Sequence, residues 1–534
     1  MGEKRPNFLL IITDQQRADY LGCAGHPVLR TPNIDRIAEG GVRFDKFYVA
    51  NPVCMPNRST LMTGRMPSSH GVRSNGIPLP IESNTFADIL RWGGYRTALV
   101  GKSHLQNFTG LPAMQSREQT DPDRPLPDGD LAEARRPGNP ADYQREDPAT
   151  WEDPAFELPT PFYGFDHVDL CTMHGDMVGA DYRRWLKDKG VDPKSVVGRK
   201  NELPHDYACP QAWRTAVPEE LYPSAFVAER TIEYLDAHVA EGHDAPFFMM
   251  MSLPDPHHPF TPPGRYWDMY RPEEAVMPES FYDIGNNPPP TLEWALRERV
   301  EGKAIRDRGQ FLFVVNEREA REAIALTYGM MACVDDAVGK VLERLGALGL
   351  EEDTVVLYTS DHGDFLGDHR LLLKGPIHYQ SLIRVPFLWR DPYSDKAAAA
   401  CDALCGTVDL APTILDRAGL SPFNGMQGRS LLPEADDLQD HGPGCALIED
   451  DQQRTVLGFS TSPRVHTLVN ARWRMSIYDG TDWGELYDLV ADPLENRNLW
   501  SDPTVSDTKA ALLEAFVRRE IALVDRSPLP SARA

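Results

Sequence analysis

The first hundred residues alternate apolar runs with amphipathic segments, and this alternation restricts the possible folds strongly. Residues 8–13 form a continuous apolar run that ends abruptly in polar residues, as a buried parallel strand does. A short helix begins at Thr31 and is closed by Gly40. A second helix begins at Thr85 and precedes a strand over residues 96–100. We therefore predict a doubly wound α/β sheet.

The α/β pattern returns in the middle of the chain. Helical patterns with one apolar face again occur beside short apolar runs of strand length. The predicted helices cover residues 224–239, 319–345 and 408–418, and the predicted strands cover residues 247–252, 354–359 and 385–389.

After about residue 425 the pattern changes to short strands, of which residues 464–469 and 473–478 are the clearest. A final helix is predicted over residues 508–523. We therefore divide the chain into a catalytic α/β domain over residues 1–425 and a smaller α+β subdomain with a polar tail over residues 426–534. The smaller unit is expected to contain an antiparallel sheet.

Proline dominates residues 111–162 and rules out long regular elements there. The prolines stand at positions 112, 122, 125, 127, 137, 140, 148, 154, 159 and 161. A long segment without regular structure inside a compact domain is usually functional or mobile. We interpret it as an insertion near the mouth of the site, with a peripheral arm in an oligomer as the alternative. A homodimer or homotetramer is expected on this basis.

The formal net charge of −25 repels nucleic acid and anionic membranes at long range. We therefore predict neither as a partner. An anionic substrate would need a local cluster of cations, which a Debye length of about 8 Å allows. The apolar run near the start of the chain is too short for a signal peptide or a membrane span, so a cytoplasmic location is predicted.

Eight cysteines are scattered over the chain, and only Cys401 and Cys405 lie close together in sequence. No second pair or histidine partner gives the spacing of a zinc site. Ordinary reduced thiols are the expected state of all but one of them.

Polar clusters follow three of the predicted strands. They are Asp14-Gln15, the segment 101–104 that contains Lys102 and His104, and the segment 360–364 that contains Asp361 and His362. Sites in open α/β sheets form beyond the carboxyl ends of the strands. Carboxylates with an imidazole suit a divalent metal, although the composition alone leaves a salt-bridge network equally open.

The segment 54–65, Cys-Met-Pro-Asn-Arg-Ser-Thr-Leu-Met-Thr-Gly-Arg, resembles the sulfatase signature, C-x-P-x-R followed by Leu-x-Thr-Gly-Arg. Companion motifs occur in the order typical of that family, within the alkaline-phosphatase superfamily. They are the first strand with Asp14, residues 256–260 (Pro-His-His-Pro-Phe), 359–363 (Thr-Ser-Asp-His-Gly), Lys374 with 384–386 (Arg-Val-Pro), 408–413 (Val-Asp-Leu-Ala-Pro-Thr), and 485–489 (Glu-Leu-Tyr-Asp-Leu) with 492–493. The resemblance covers most of the chain.

The resemblance implies an alkaline-phosphatase-like fold, with a mixed central sheet flanked by helices and a smaller C-terminal antiparallel sheet. It implies that a formylglycine-generating enzyme oxidises Cys54 to formylglycine. One hydroxyl of the hydrated aldehyde would attack the ester, and the other would allow the inorganic anion to be expelled. One divalent ion, calcium, manganese, magnesium or zinc, would assist, and the substrate would be a small anionic ester.

The resemblance also assigns roles to individual residues. Asp14, Asp361, His362 and the modified Cys54 would bind the metal, and Gln15 would lie beside it or next to a ligand. Arg58 would clamp the hydrate and the ester oxygens. Lys102 would orient His104, which would take the proton when the product is released. His257 and Lys374 would contact the ester oxygens, and one of them would assist the leaving group.

Two positions depart from the common sulfatase pattern. Many members carry Asp-Asp after the first strand and Asp-Asn after the later one, whereas this chain has Gln15 and His362 at the second positions. The change lowers the ligand charge and admits softer metals. This variant is similar to phosphonate monoester hydrolases and partly to choline sulfatases, while Lys102 and His104 look like an ordinary arylsulfatase.

The leading hypothesis is therefore an arylsulfatase-type sulfuric ester hydrolase that is promiscuous toward phosphonate monoesters and phosphodiesters. The alternatives are a phosphonate monoester hydrolase or phosphodiesterase with sulfatase side activity, and a choline-sulfatase-like enzyme. A binding protein without activity is disfavoured because the nucleophile, the metal ligands and the cationic clamp are all present.

Overall fold

The computed structural model describes residues 5–115, 121–136, 138–242, 245–285, 287–303 and 311–533. Residues 116–120 and 137 of the proline-rich segment lie outside the described residues. In the described part of that segment the helical elements are short 3-10 turns, at Gly129–Leu131, Pro140–Tyr143 and Thr150–Glu152. This agrees with the expected effect of the prolines on regular structure.

An eight-stranded mixed sheet forms the centre of the molecule, in the order β11-β2-β10-β8-β1-β6-β4-β5. Strand β1 is parallel to both neighbours, β6 and β8, whereas β10 is antiparallel to β8 and β2. The strands of this sheet are β1 (Asn7–Thr13), β2 (Val42–Phe44), β4 (Arg96–Lys102), β5 (His167–Cys171), β6 (Phe247–Ser252), β8 (Thr354–Ser360), β10 (Phe387–Arg390) and β11 (Ala399–Cys401).

Both surfaces of this sheet are covered. Successive side chains of a strand point to opposite sides of the sheet, and every residue of β1 is buried. Leu9 and Ile11 belong to one hydrophobic core, and Phe8, Leu10 and Ile12 belong to the other. The helices are α1 (Pro32–Glu39), α2 (Cys54–Thr63), α3 (Pro67–His70), α4 (Phe86–Trp92), α5 (Asp181–Asp188), α6 (Pro193–Val196), α7 (Pro223–Ala240), α8 (Pro290–Val300), α9 (Glu317–Ala347), α10 (Gln380–Ile383), α11 (Leu410–Arg417), α12 (Leu432–Asp437) and α13 (Ser506–Ala522).

A separate antiparallel sheet lies near the carboxyl terminus, in the order β13-β14-β15-β16. It packs with α13 around a third hydrophobic core that also includes Ala50 and Met66. The remaining strands are β3 (Phe47–Tyr48), β7 (Phe313–Val314), β9 (Leu371–Leu372), β12 (Cys405–Gly406), β13 (Cys445–Asp451), β14 (Arg464–Asn470), β15 (Trp473–Tyr478) and β16 (Gly484–Asp488). The predicted fold class, a mixed central sheet with a smaller antiparallel sheet, is confirmed.

The parallel strands carry their carboxyl ends to one edge of the central sheet. Thr13 pairs in register with Ser360, and Gly101 pairs with Ser252, so the residues that follow these strands lie side by side. The backbone N–H of Asp361 donates to the carbonyl of Thr13 at 3.2 Å and extends this alignment past the strands. None of the helices in the described residues has the length and apolar character needed to cross a membrane.

Candidate active site

Cys54 is the first residue of helix α2 and is almost completely buried. Pro56 occupies the third position, where a backbone N–H has no partner within the helix and none is lost. Arg58 follows one turn later, so the two side chains project from the same side of the helix. The spacing of the C-x-P-x-R motif thereby places a thiol and a cation together at a helix N-terminus, whose dipole favours negative charge.

Three groups surround the thiol of Cys54. Its Sγ lies 3.0 Å from Lys374 Nζ, 3.1 Å from His362 Nε2 and 3.8 Å from Asp14 Oδ1. All four side chains are buried. A cation, an imidazole and a carboxylate from three separate parts of the chain therefore meet at one sulfur atom.

Asp14 and Asp361 follow the neighbouring strands β1 and β8 and face the same space. Arg58 Nε donates to Asp361 Oδ2 at 2.7 Å, and the backbone N–H of Gln15 donates to Asp361 Oδ1 at 3.1 Å. The carboxylate of Asp14 contacts Lys102 Nζ and lies 3.6 Å from His362 Nε2.

The pKa values of Asp14 and Asp361 are shifted in opposite directions. Burial, together with the charge of Asp361, raises the pKa of Asp14 to about 7. Burial alone would raise the pKa of Asp361 as well, but the charges of Arg58 and His362 outweigh it and hold that pKa below its ordinary value. A divalent cation between these carboxylates would relieve their repulsion.

The donor set fits such a cation. One ligand atom each from Asp14, Cys54, His257 and His362 lies within 4.8 Å of the others, and all four residues are buried. Asp361 Oδ1 lies 3.7 Å from His362 Nε2, at the border of this group. Carboxylate oxygens suit magnesium, calcium and manganese, and imidazole nitrogens suit zinc, so this mixed donor set is compatible with a divalent ion.

Lys102 ends strand β4 and contacts two groups in the site. Besides Asp14, its Nζ lies 2.9 Å from His174 Nε2. The ring of His174 stacks on that of His257, with centroids 3.5 Å apart. His257 Nε2 in turn lies 3.0 Å from Lys374 Nζ, so the two lysines lie at the two ends of a stacked pair of imidazoles.

His104 has a left-handed backbone conformation, with a φ of 56°. Its ring stacks on Phe108 with centroids 3.7 Å apart, and its buried Nδ1 has no hydrogen-bond partner among the described residues. Burial, followed by the charges of Lys102 and Arg58, lowers the pKa of His104 well below its ordinary value. A neutral imidazole with a free nitrogen can accept a proton at neutral pH.

Gln15 also has a positive φ, of 65°, and within the described part of the chain none of its side-chain hydrogen bonds goes to Cys54 or Asp14. Its amide nitrogen donates to Asp364 and lies 3.1 Å from His258 Nδ1. Asp364 is held by the backbone N–H groups of Leu366 and Leu373 at 2.8 and 2.9 Å. Gln15 therefore connects the strand ends to a second layer of polar groups.

A cavity of about 290 Å³ opens beside Lys374 and His104. Its walls come from the start of helix α2, the proline-rich segment, and the C-terminal sheet. The lining residues are 53, 55, 74–76, 104, 107–109, 111–114, 311, 374–375 and 451–454.

The structure brings most of the sequence-predicted residues together and adds three that sequence reasoning missed. His174 follows strand β5, so the same strand-end rule would have found it had that strand been recognised. Asn57 donates to the carbonyl of Asp361 and accepts from the backbone N–H of Ala50 at 3.0 Å. Glu146, inside the proline-rich segment, gave no signal in the sequence.

Known protein families match most of this chain. The sulfatase family profile matches residues 6–420, and the profile of the C-terminal region of N-sulphoglucosamine sulphohydrolase matches residues 367–521. An arylsulfatase from Clostridium perfringens is 30% identical over 517 residues, covering 93% of this chain and 90% of that protein. The multifunctional alkaline phosphatase superfamily protein PehA from Trinickia caryophylli is 28% identical over 536 residues, 97% of this chain and 95% of that protein.

The fold is shared with solved structures as well. The phosphonate monoester hydrolase of Agrobacterium radiobacter superimposes with a TM-score of 0.74 at 24% identity, covering 98% of this chain and 97% of that one. Fold and site thus define a hydrolase of the alkaline-phosphatase superfamily. The chain belongs to the sulfatase family, and its enzyme class is that of the sulfuric ester hydrolases.

Proposed function

We propose that the protein hydrolyses sulfate monoesters of the arylsulfatase type, with residue 54 as the nucleophile after Cys54 has been oxidised to formylglycine. Phosphonate monoesters and phosphodiesters are proposed as additional, slower substrates. The observation that carries this proposal is the convergence of Lys374, His362 and Asp14 on Cys54 Sγ, within 3.8 Å and in buried surroundings. A structural thiol has no need of such neighbours.

Asp14, Asp361, His362 and residue 54 are proposed to hold one divalent ion, with His257 close enough to take part. When bound, such an ion would lower the pKa of an attacking hydroxyl and would provide positive charge near the ester oxygens. The raised pKa of Asp14 supports this assignment, because a carboxyl group beside a second buried carboxylate is stabilised as an anion by a cation.

The cations of the site are proposed to bind the ester oxygens. Arg58 Nη2 is buried without a partner among the described residues, so it is free to donate. Lys374 Nζ lies 3.0 Å from Cys54 Sγ, close to where the transferred group must sit. Charge-assisted hydrogen bonds of this kind are most effective in a buried site, where the local dielectric is low.

Proton transfers are proposed for Lys374 and for two histidines, His257 and His104. Lys374 or His257 donates toward the departing alcohol oxygen, and their 3.0 Å contact allows one to resupply the other. His104 accepts the proton of the remaining hydroxyl of residue 54 when the inorganic anion is released, because its lowered pKa keeps it neutral.

The test is the mass of the tryptic peptide that contains residue 54, combined with turnover of 4-nitrophenyl sulfate. In protein produced together with a formylglycine-generating enzyme, we expect the aldehyde mass and turnover, and Cys54→Ala should abolish both. An unmodified thiol in every preparation made with a competent maturation enzyme would remove this mechanism.

A second candidate is a phosphonate monoester hydrolase or phosphodiesterase in which sulfate is the side substrate. Gln15 and His362 favour it, because they replace a carboxylate and an amide of the common sulfatase pattern and lower the negative charge of the site as a whole. Turnover of matched aryl sulfate and aryl phosphonate monoesters decides between the two. A large preference for the phosphonate would select the second candidate.

A further inference from the structure

The cavity beside Lys374 and His104 has an outer wall that the proposed reaction does not use. Arg454 lies in this wall, in the loop after strand β13, and Phe311 lies next to it. The guanidinium carbon of Arg454 is 5.3 Å from the centre of the Phe311 ring, within the range of a cation–π contact.

Arg454 has no acidic partner among the described residues, although it is half-buried. Burial is the sole cause acting on its pKa, and it lowers that pKa. The contrast with Arg474 is informative, because Arg474 is fully buried and pairs with both Glu485 and Glu495. Partial desolvation of a guanidinium without a counter-ion is unfavourable, and an anionic ligand would offset it.

Among the described residues that line the cavity, Asp451 is the one carboxylate, and it is already neutralised. Asp451 pairs with Arg73 and with Arg464, each at 3.1 Å. Together with Lys374 at the inner end, Arg454 gives the cavity a positive character at both ends, despite the net charge of −25 for the whole chain. Over distances shorter than about 8 Å such local charges dominate the global field.

The rest of the cavity wall combines polar side chains with several large apolar ones. Phe108 and Met55 line it from inside, and two large side chains of the proline-rich segment are exposed, Leu111 at 75% and Met114 at 60%. A volume of about 290 Å³ is at the lower end of the range for small-molecule pockets and suits a single ring. Met55, Phe108 and the Phe311 ring offer an apolar contact surface, which favours an aromatic ring as the ligand.

We propose that Arg454 and Phe311 form a leaving-group subsite that selects aromatic esters whose ring carries a carboxylate. This inference rests on the proposed function, since the sulfate end of the ester is taken to lie at Lys374 and residue 54. The guanidinium binds the carboxylate in a bidentate manner, and Phe311 supports both the guanidinium and the aromatic ring.

A matched substrate pair tests the subsite. 4-(Sulfooxy)phenylacetate and 4-(sulfooxy)phenylacetamide differ in one charge, and the methylene group insulates the departing phenol from it. We expect kcat/KM of the mature enzyme to be roughly tenfold higher for the acid than for the amide. A desolvated, charge-assisted hydrogen bond contributes a factor of about this size. Arg454→Gln should bring the acid-to-amide ratio close to one, and Arg454→Lys should give an intermediate ratio.

Arg497→Gln is the matched control, because it removes one arginine charge from the C-terminal part of the chain at a side chain that is 73% exposed. It should leave the acid-to-amide ratio at the wild-type value. Equal kcat/KM values for the two esters in the wild-type enzyme, or a preference that survives in Arg454→Gln, would overturn the subsite.

A binding measurement separates the failure of this inference from that of the proposed function. Calorimetric titration with 4-hydroxyphenylacetate and 4-hydroxyphenylacetamide needs no turnover. Tighter binding of the acid to the wild-type protein, lost in Arg454→Gln, supports the subsite even if neither sulfate is hydrolysed. Equal binding of the two phenols overturns it even if both sulfates are hydrolysed.

Discussion

At the scale of single residues, Arg58 combines a structural and a chemical task. Its Nε pairs with Asp361, and its Nη1 donates to the carbonyl of Lys102 and to Ser252 Oγ, each at 2.9 Å. The remaining nitrogen, Nη2, is buried without a partner among the described residues. Three of the five N–H groups of the arginine thus hold the strand ends together, while the two on Nη2 stay available for a ligand.

Replacing Arg58 should therefore reduce stability as well as activity. Arg58→Met leaves the buried carboxylate of Asp361 without its partner, and we expect the free energy of unfolding to fall by about 3–5 kcal/mol in metal-free buffer. Chemical denaturation measures this effect. Arg91→Gln is the control, because its ion pair with Asp166 is 46% exposed on both sides and contributes less than about 1 kcal/mol. Equal midpoints for the two variants would contradict the argument.

At the scale of elements, the proline-rich segment contributes to the site through one carboxylate. Glu146 is fully buried, and its two oxygens accept the backbone N–H groups of His104, Leu105 and Gln106 at 2.9, 3.0 and 3.0 Å. These bonds hold the loop in which His104 has its left-handed conformation. An apparent insertion is thereby a positioning element for a candidate catalytic group.

Glu146→Gln tests this positioning role. A glutamine must place its NH₂ group against at least one of the three backbone N–H groups, so that at least one hydrogen bond is lost. We expect kcat to fall more than tenfold with little change in KM, because catalysis is sensitive to small displacements of a catalytic group such as His104. Steady-state kinetics measures kcat and KM separately.

Glu152→Gln, an exposed change in the same segment, is the control and should behave like the wild type. A fall in thermal stability without a change in kcat would show that Glu146 acts only in folding.

The C-terminal helix α13 is attached to strand β14 by a titratable contact. His466 Nδ1 lies 2.7 Å from Glu520 Oε1, and both side chains are partly exposed. Burial opposes the charge on His466, but the hydrogen bond to Glu520 and the charge of Glu449 outweigh it and raise its pKa. His466 therefore binds its proton more strongly in the folded state than in the unfolded state.

The sign of the pH dependence follows from this shift. The stabilisation is fully present below the unfolded pKa of about 6.5 and is lost as the pH rises through the higher folded value. Glu520→Gln should accordingly lower Tm at about pH 6 more than at about pH 9, by an effect below about 1 kcal/mol. Glu514→Gln removes a largely exposed pair with Arg518 and should show no such difference. A pH-independent effect of Glu520→Gln would refute the contact.

At the scale of the whole molecule, the site joins parts of the chain that are far apart in sequence. Asp14, Cys54 and Lys374 lie in three separate segments, and the C-terminal sheet closes the cavity through residues 451–454. Buried like charges at this junction oppose assembly, since the pKa of Asp14 is raised to about 7 by burial and by Asp361. A bound cation would reverse this effect and connect the segments.

Metal removal should therefore lower the stability of the entire fold. Treatment with a chelator is expected to lower Tm, and a divalent ion at a hundred times its Kd should restore about 2.7 kcal/mol. Calorimetry of unfolding measures both steps without reference to activity. In Asp14→Asn the response to the ion should be lost or strongly reduced. An unchanged Tm after complete metal removal would argue against a resident ion.

Much of the fold could be predicted because the local signals were strong. Strand β6 and strand β15 have the predicted bounds, and the long helix α9 extends the predicted one by two residues at each end, from Glu317 to Ala347. The direction of β10 had no local signal, because hydropathy patterns are the same for parallel and antiparallel strands. Its antiparallel pairing with β8 depends on the path of the chain between them.

The sequence by itself determined that Cys54 and Arg58 belong to one short motif and that Asp14 and Asp361 follow buried strands. These are local signals, which act over a few residues. Only the tertiary structure decided that His174 stacks on His257, that Glu146 holds the loop of His104, and that Arg454 faces the cavity with no acidic partner in the described part of the chain. Such contacts join residues far apart in sequence, and their free energy depends on packing, which no local pattern records.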